Sequence, residues 1–149
     1  MTNESIKYLA IKMLADKAYV VDAIYSYLVE GERPSVLAHK YNITKHTIRG
    51  NIMRFVEKVG SEGKARKLIK LIKESNAKVS PIVYKTDTLY TCLICNEKID
   101  EAKLEKHITT KHKAELQRAI NYILSKVEAK KKQEDSANNK KEIVVNAQS

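Results

Sequence analysis

The stretch from Tyr90 to His112 constrains this chain more than any other. It reads Y-T-C-L-I-C-N-E-K-I-D-E-A-K-L-E-K-H-I-T-T-K-H and sets Cys92, Cys95, His107 and His112 in the order C-x2-C-x11-H-x4-H. Two thiolates across a tight turn and two imidazoles about one helical turn apart can close a tetrahedral shell around one zinc ion. Protein atoms then fill all four positions, so such an ion is a structural clamp with no place for an activated water. Other readings of the cysteines explain less. A Cys92–Cys95 disulfide would be a strained short loop and would leave both histidines without a role. A thioredoxin-like redox pair needs a strand–helix–strand setting, and the residues downstream offer helix alone.

Three apolar residues accompany the four ligands: Tyr90 two before Cys92, Ile99 four after Cys95 and Leu104 three before His107. With them, residues 90–112 resemble the two-Cys, two-His zinc-finger family. The resemblance implies a small ββα unit holding one structural Zn2+. It also implies a finger helix with Asp100 near its start and Lys103 and Lys106 on its exposed face, where both suit phosphate contact. The chain departs from the family in a Cys-to-His gap one residue shorter than the usual twelve and in Ile99, where an aromatic is commoner. These departures move the start of the helix, and with it any base-reading register, by about one residue. A single finger reads about three base pairs, so a supporting or protein-docking role is expected of it. Tyr90, Ile99 and Leu104 make little core by themselves. Metal binding, worth about 10–16 kcal/mol in finger peptides, is expected to supply the missing stability.

Elsewhere the sequence reads as mainly α. Only 4 glycines and 2 prolines occur in 149 residues, and Leu, Ile, Lys and Ala are frequent. No apolar run reaches membrane-spanning length, and the opening M-T-N-E-S-I-K-Y-L-A lacks a secretory leader's pattern. With both cysteines assigned to zinc, a soluble protein of a reducing, intracellular compartment is expected. The expected organisation is a helical domain over 1–75, a linker or hairpin over 76–89, the finger over 90–112, an amphipathic helix over 113–130 and a flexible tail over 131–149.

Charge is distributed unevenly. The formal net charge is +10, and residues 34–75 carry 10 basic against 3 acidic side chains, a local excess of +7. Such a block favours a polyanionic partner over a merely solvated surface. It overlaps R-P-S-V-L-A-H-K-Y-N-I-T-K-H-T-I-R-G-N-I-M-R-F-V-E-K-V-G, from Arg33 to Gly60. Pro34 suits the first turn of a short helix whose buried side is Val36, Leu37 and Tyr41. Asn42 tolerates a left-handed turn, Ile43 plugs the corner, and Thr44 caps a longer helix with Ile48, Ile52, Phe55 and Val59 inward. Counting the preceding helix, residues 17–60 resemble the helix-turn-helix family. Asn42 stands in place of the usual turn glycine, and Asn51 stands where an apolar residue is common.

That resemblance implies double-stranded DNA as partner, with the second helix entering the major groove. Arg49 is the leading base reader, since its planar fork can bond two guanine acceptors at once. Lys45, His46, Thr47 and Arg54 share the outward face, Gly50 would allow close backbone approach, and Ser35, Lys40 and Thr44 are placed for phosphates. His39 reads as a solvated surface histidine.

The flanking segments read as packing elements. Thr2 or Asn3 can cap a first helix bearing Ile6, Leu9, Ala10 and Met13 on one face, Asp16 restarts the chain, and Gly31 closes a second helix. Ser61 to Ser75 is a basic amphipathic helix with Ala65, Leu68, Ile69 and Ile72 inward. Lys64 and Lys67 on its surface suit phosphate contact. No Trp or Phe anchors it to a membrane, so none is expected as partner. Residues 77–91 suit a hairpin, either a small wing or an extension of the finger's ribbon. Leu116, Ile120, Ile123 and Val127 form a short seam, fit either for packing on the chain's own body or for a homodimer. Ile143–Val145 is an apolar patch in the tail.

The best reading is a sequence-specific DNA-binding protein, most simply a transcription regulator. Its alternatives are a protein-interaction adaptor built on the finger and the C-terminal helix, and a nucleic-acid binder without sequence preference. No nucleophile–base set, glycine-rich phosphate loop or open metal site points to an enzyme or to a small-molecule substrate. The small size, single finger and Lys/Ile-rich composition resemble regulators carried by archaeal viruses or plasmids.

Overall fold

A computed structural model describes the backbone of residues 3–148 and the side chains of residues 4–136. The capping role of Thr2 or Asn3 and the side chains of Ile143–Val145 lie outside the described residues. The chain is mainly α, with one small antiparallel sheet.

Helix α1 (Asn3–Leu14) buries Ile6, Leu9, Ala10 and Met13. Asp16 turns the chain through a left-handed conformation at φ 64° into α2 (Tyr19–Leu28), and Gly31, also left-handed, follows. Helix α3 (Pro34–Tyr41) opens on its proline and closes on Asn42 at φ 54°, ψ 47°. There the Asn42 backbone N–H donates to Ala38 and His39 carbonyls. Of the three residues expected on α3's buried side, Leu37 is buried and Tyr41 half-buried, but Val36 is 49% exposed. A helix this short presents one narrow stripe, and position 36 falls off it.

Helix α4 (Lys45–Val59) is capped by Thr44, whose hydroxyl accepts from the Thr47 backbone N–H at 3.1 Å. This is the side-chain capping that Thr supplies at a helix N-terminus. Ile48, Ile52 and Phe55 are buried as the spacing predicts, and so is Asn51. Gly60 ends α4 at φ 116°, a conformation costly for other residues. Helix α5 (Glu62–Glu74), capped by Ser61, buries Ala65, Leu68, Ile69 and Ile72 against α2 and α4.

The sheet has the order β1 (Val83–Thr86), β2 (Leu89–Cys92) and β3 (Lys98–Ile99), antiparallel throughout, with Tyr90 opposite Ile99. The β1–β2 hairpin turns at Asp87, which is left-handed at φ 55°. Residues 83–92 therefore lengthen the finger's own ribbon rather than forming a separate wing. Helix α6 (Glu101–Lys111) follows, capped by Asp100, and α7 (Lys113–Gln148) continues after a break in helical geometry at His112.

Helix α7 extends beyond the 113–130 segment expected as an amphipathic helix, and its apolar seam packs within the chain. It runs past residue 130 because the remaining polar residues include no glycine or proline to stop it. Leu116, Ile120, Ile123 and Val127 are buried where α7 packs on α1, α5 and α6, so the seam considered for a homodimer lies inside the chain's own core. That core is one connected cluster from Ile6 to Val127, shared by the helical body and the finger. Among the described residues, no helix is long and apolar enough to cross a membrane.

Candidate metal centre and basic helix surface

The Cys92–Cys95 turn is built by backbone hydrogen bonds. Cys92 N–H donates to Glu97 C=O at 2.9 Å, Asn96 N–H donates to Cys92 C=O at 3.0 Å, and Asn96 takes φ 61°. Opposite this turn, His107 sits in the last part of α6 and His112 caps its end. One ligand atom from each of the four residues lies within 4.8 Å of all the others. Cys92 Sγ is 3.3 Å from His112 Nε2, Cys95 Sγ is 3.5 Å from His107 Nε2, and the two Nε2 atoms are 3.1 Å apart. For zinc bond lengths, a tetrahedron has edges of about 3.3–3.8 Å. The donor set therefore fits one four-coordinate ion.

The outer face of each imidazole supports the same reading. Glu97 Oε2 stands 3.3 Å from His107 Nδ1, and Glu115 Oε2 stands 3.8 Å from His112 Nδ1. At hydrogen-bond distance, as for Glu97, a carboxylate behind a ligating histidine fixes its tautomer and leaves Nε2 as the donor to metal, while Glu115 is near enough to favour the same orientation electrostatically. Lys111 pairs with Glu97 and holds that carboxyl below its usual range. Burial, with His112 beside it, lowers the His107 pKa and favours the neutral imidazole that a metal requires. Neither Glu97 nor Glu115 is apparent from ligand spacing. Their places close behind His107 and His112 depend on the turn at Cys95–Asn96 and on the break between α6 and α7.

Tyr90, Ile99 and Leu104 are buried as the small core of this unit, joined by Val83 and Ile108. The unit is fastened to α1 and to the turn after it. Ile82 N–H donates to Leu14 C=O at 3.0 Å, Lys17 pairs with Glu101 at 3.0 Å, and Lys12 pairs with Glu105 at 2.5 Å. The Lys17 hydrogen bond holds the Glu101 carboxyl below its usual range. These two pairs draw α6's acidic side chains toward α1, while Lys103 and Lys106 are left exposed without a carboxylate partner among the described residues.

On the helical body, Ser35, Lys40, Thr44, Lys45, His46, Thr47, Arg49, Arg54, Lys64 and Lys67 are all exposed, and Gly50 is half-buried. Among the described residues, Lys45, Arg49, Arg54, Lys64 and Lys67 pair with no carboxylate. Three details describe how residues on and beside this surface are held. The Thr44 hydroxyl is engaged by the Thr47 N–H and hydroxyl, so its oxygen is occupied by capping. Gly50 lies beneath the Arg54 guanidinium, which approaches to 3.4 Å of where a Cβ would stand. Asn51 accepts a 3.1 Å hydrogen bond from the Tyr8 hydroxyl, which ties α4 to α1 and makes a buried amide tolerable. Burial is the main cause that raises the Tyr8 pKa, and Arg54 partly opposes it.

These features define a mainly α protein with a two-Cys, two-His metal-binding knot, of ββα form, fused to its helical body. Compared with models of known protein families, with curated proteins and with solved structures, the chain matches none.

Proposed function

We propose that this protein is a non-catalytic regulator that binds double-stranded DNA through α3 and α4, with one structural Zn2+ holding the finger. The observation that carries the reading is the set of cations on α4 and α5. Lys45, Arg49 and Arg54 on α4, which follows the left-handed turn at Asn42, and Lys64 and Lys67 on α5 stand in solvent without carboxylate partners among the described residues. Cations left without carboxylates on two successive helices favour a polyanionic partner. In a helix-turn-helix the N-terminal half of the second helix meets base edges, and Lys45, His46 and Arg49 occupy that half of α4. Zinc is favoured over other divalent ions by two thiolates and two imidazoles at tetrahedral spacing.

Random-site selection with zinc-loaded protein, followed by anisotropy titration of the selected duplex, tests this. Arg49→Ala should cost about 1–3 kcal/mol and relax the preference at one base pair. Equal affinity for selected and scrambled duplexes would point instead to binding without sequence preference. One observation favours an adaptor role for the finger. Leu93 and Ile94, between the zinc cysteines, are 59% and 49% exposed, as an apolar protein-contacting knuckle would be. Pull-down of one defined protein, lost on Leu93→Ser with duplex binding intact, would establish that role.

A further inference from the structure

Beside α4 lies a cleft of about 450 Å3 that duplex recognition does not require. Its lining includes buried Leu28 and Ile52, half-buried Tyr27, Pro34 and Val56, and Met53, which is 57% exposed. A phosphate-facing surface gains nothing from a methionine in water. Two charged side chains complete the lining, Arg49 and Glu62. Glu62 pairs with Arg66 at 3.4 Å, whereas Arg49 has no carboxylate partner among the described residues. An apolar cleft of this volume with a single uncompensated cation has the composition of a small-ligand site.

We propose that the cleft binds a small amphipathic carboxylate, its apolar body against Leu28, Ile52 and Val56 and its anionic head on Arg49. The occupant is an effector and undergoes no reaction there. Because Arg49 is also the leading base reader, ligand and duplex compete for one guanidinium. The binding site stands by itself, while its regulatory consequence rests on the duplex reading above. Linkage makes the effect reciprocal, so each partner weakens the other by the same factor.

The sequence supplies its own reporters. It contains 3 methionines, of which Met53 lines this cleft and Met13 lines a separate one beside α2 and α5. Full-length zinc-loaded protein carrying 13C-methyl methionine is titrated with 4-phenylbutyrate and, separately, with the uncharged 4-phenylbutan-1-ol. The expected result is a saturable shift of the Met53 methyl with no matching shift of Met13. The alcohol should bind roughly 10-fold more weakly, reflecting the lost charge-assisted hydrogen bond, and Arg49→Gln should abolish that difference. Arg49 is exposed, so this variant keeps the fold.

An unmoved Met53, equal movement of Met13, or an acid–alcohol difference that survives Arg49→Gln would each overturn the site. In the duplex arm, 4-phenylbutyrate should weaken selected-duplex binding by wild type and leave Arg49→Gln binding unchanged. Met53 shifts without any duplex binding would refute the DNA reading and its regulation while keeping the site. Duplex binding with Met53 unmoved would refute the site while keeping the DNA reading.

Discussion

Gly50 and Asn51 are neighbours on α4 with opposite consequences for stability. Gly50 sits mid-helix at ordinary helical φ, and a Cβ there would meet only the Arg54 guanidinium at van der Waals distance. Gly50→Ala should therefore stabilise the protein by about 0.5–1 kcal/mol in thermal denaturation, the usual gain at a helix interior. An accompanying loss of duplex affinity would show that the backbone at residue 50 approaches the partner closely. Asn51 behaves otherwise, because its amide is buried and accepts from Tyr8. Tyr8→Phe leaves that acceptor unsatisfied and should cost about 1–3 kcal/mol, whereas adding Asn51→Leu should recover most of the loss. Urea denaturation of the two single variants and the double variant measures this as a cycle. The same logic reaches the metal centre through Glu97. Glu97→Gln should weaken zinc affinity about 10–100-fold in chelator competition, by releasing the His107 ring from its outer carboxylate.

Elements here owe their stability to different sources. Helices α1 to α5 bury Ile6, Leu9, Ile24, Leu37, Phe55 and Ile69 in the apolar core and carry none of the four candidate ligands. The three short strands and α6 bury a small core around the four candidate metal ligands, and Ile82 and the Lys12 and Lys17 pairs fasten them to α1 and the turn after it. Zinc removal by a strong chelator should therefore expose backbone amides of Tyr90–His112 to hydrogen exchange while those of Phe55 and Ile69 stay protected. Whole-chain unfolding in one step would show that the shared core depends on the ion. This fusion was the part least legible in the sequence. The inward faces of α4 and α5 and the four ligands follow from spacing, since periodicity and ligand chemistry are local properties. The docking of the finger on α1, the carboxylates behind the two histidines and the burial of Leu116, Ile120, Ile123 and Val127 arise between segments far apart in the chain. A periodic seam reports an apolar face without naming what covers it, and α7 continues to Gln148 for want of a stop signal rather than through a visible pattern.

For the molecule as a whole, the question is whether its charge acts as a surface property or as a binding site. The local excess of +7 over residues 34–75 alone does not distinguish these, because ion pairs could have neutralised it. Arg66 and Lys73 do pair, with Glu62 and Asp22, but Lys45, Arg49, Arg54, Lys64 and Lys67 do not pair with carboxylates among the described residues. If these five meet phosphates or bases of one duplex, the counterions they displace set the salt dependence. Log affinity should then fall against log salt with a slope of about −4 to −5. The finger provides an internal comparison. Because α1 packs on both α4 and α6, Lys103 and Lys106 stand on the same core as the proposed binding surface. Replacing both with glutamine should reduce the slope by about 2 if the duplex reaches α6, and leave it unchanged if the duplex ends at α4. A Lys64→Gln and Lys67→Gln pair, measured alongside, gives the response of two cations on the proposed binding surface itself. Anisotropy titrations from low to physiological salt read all three slopes, and a wild-type slope near zero would remove the duplex from the account.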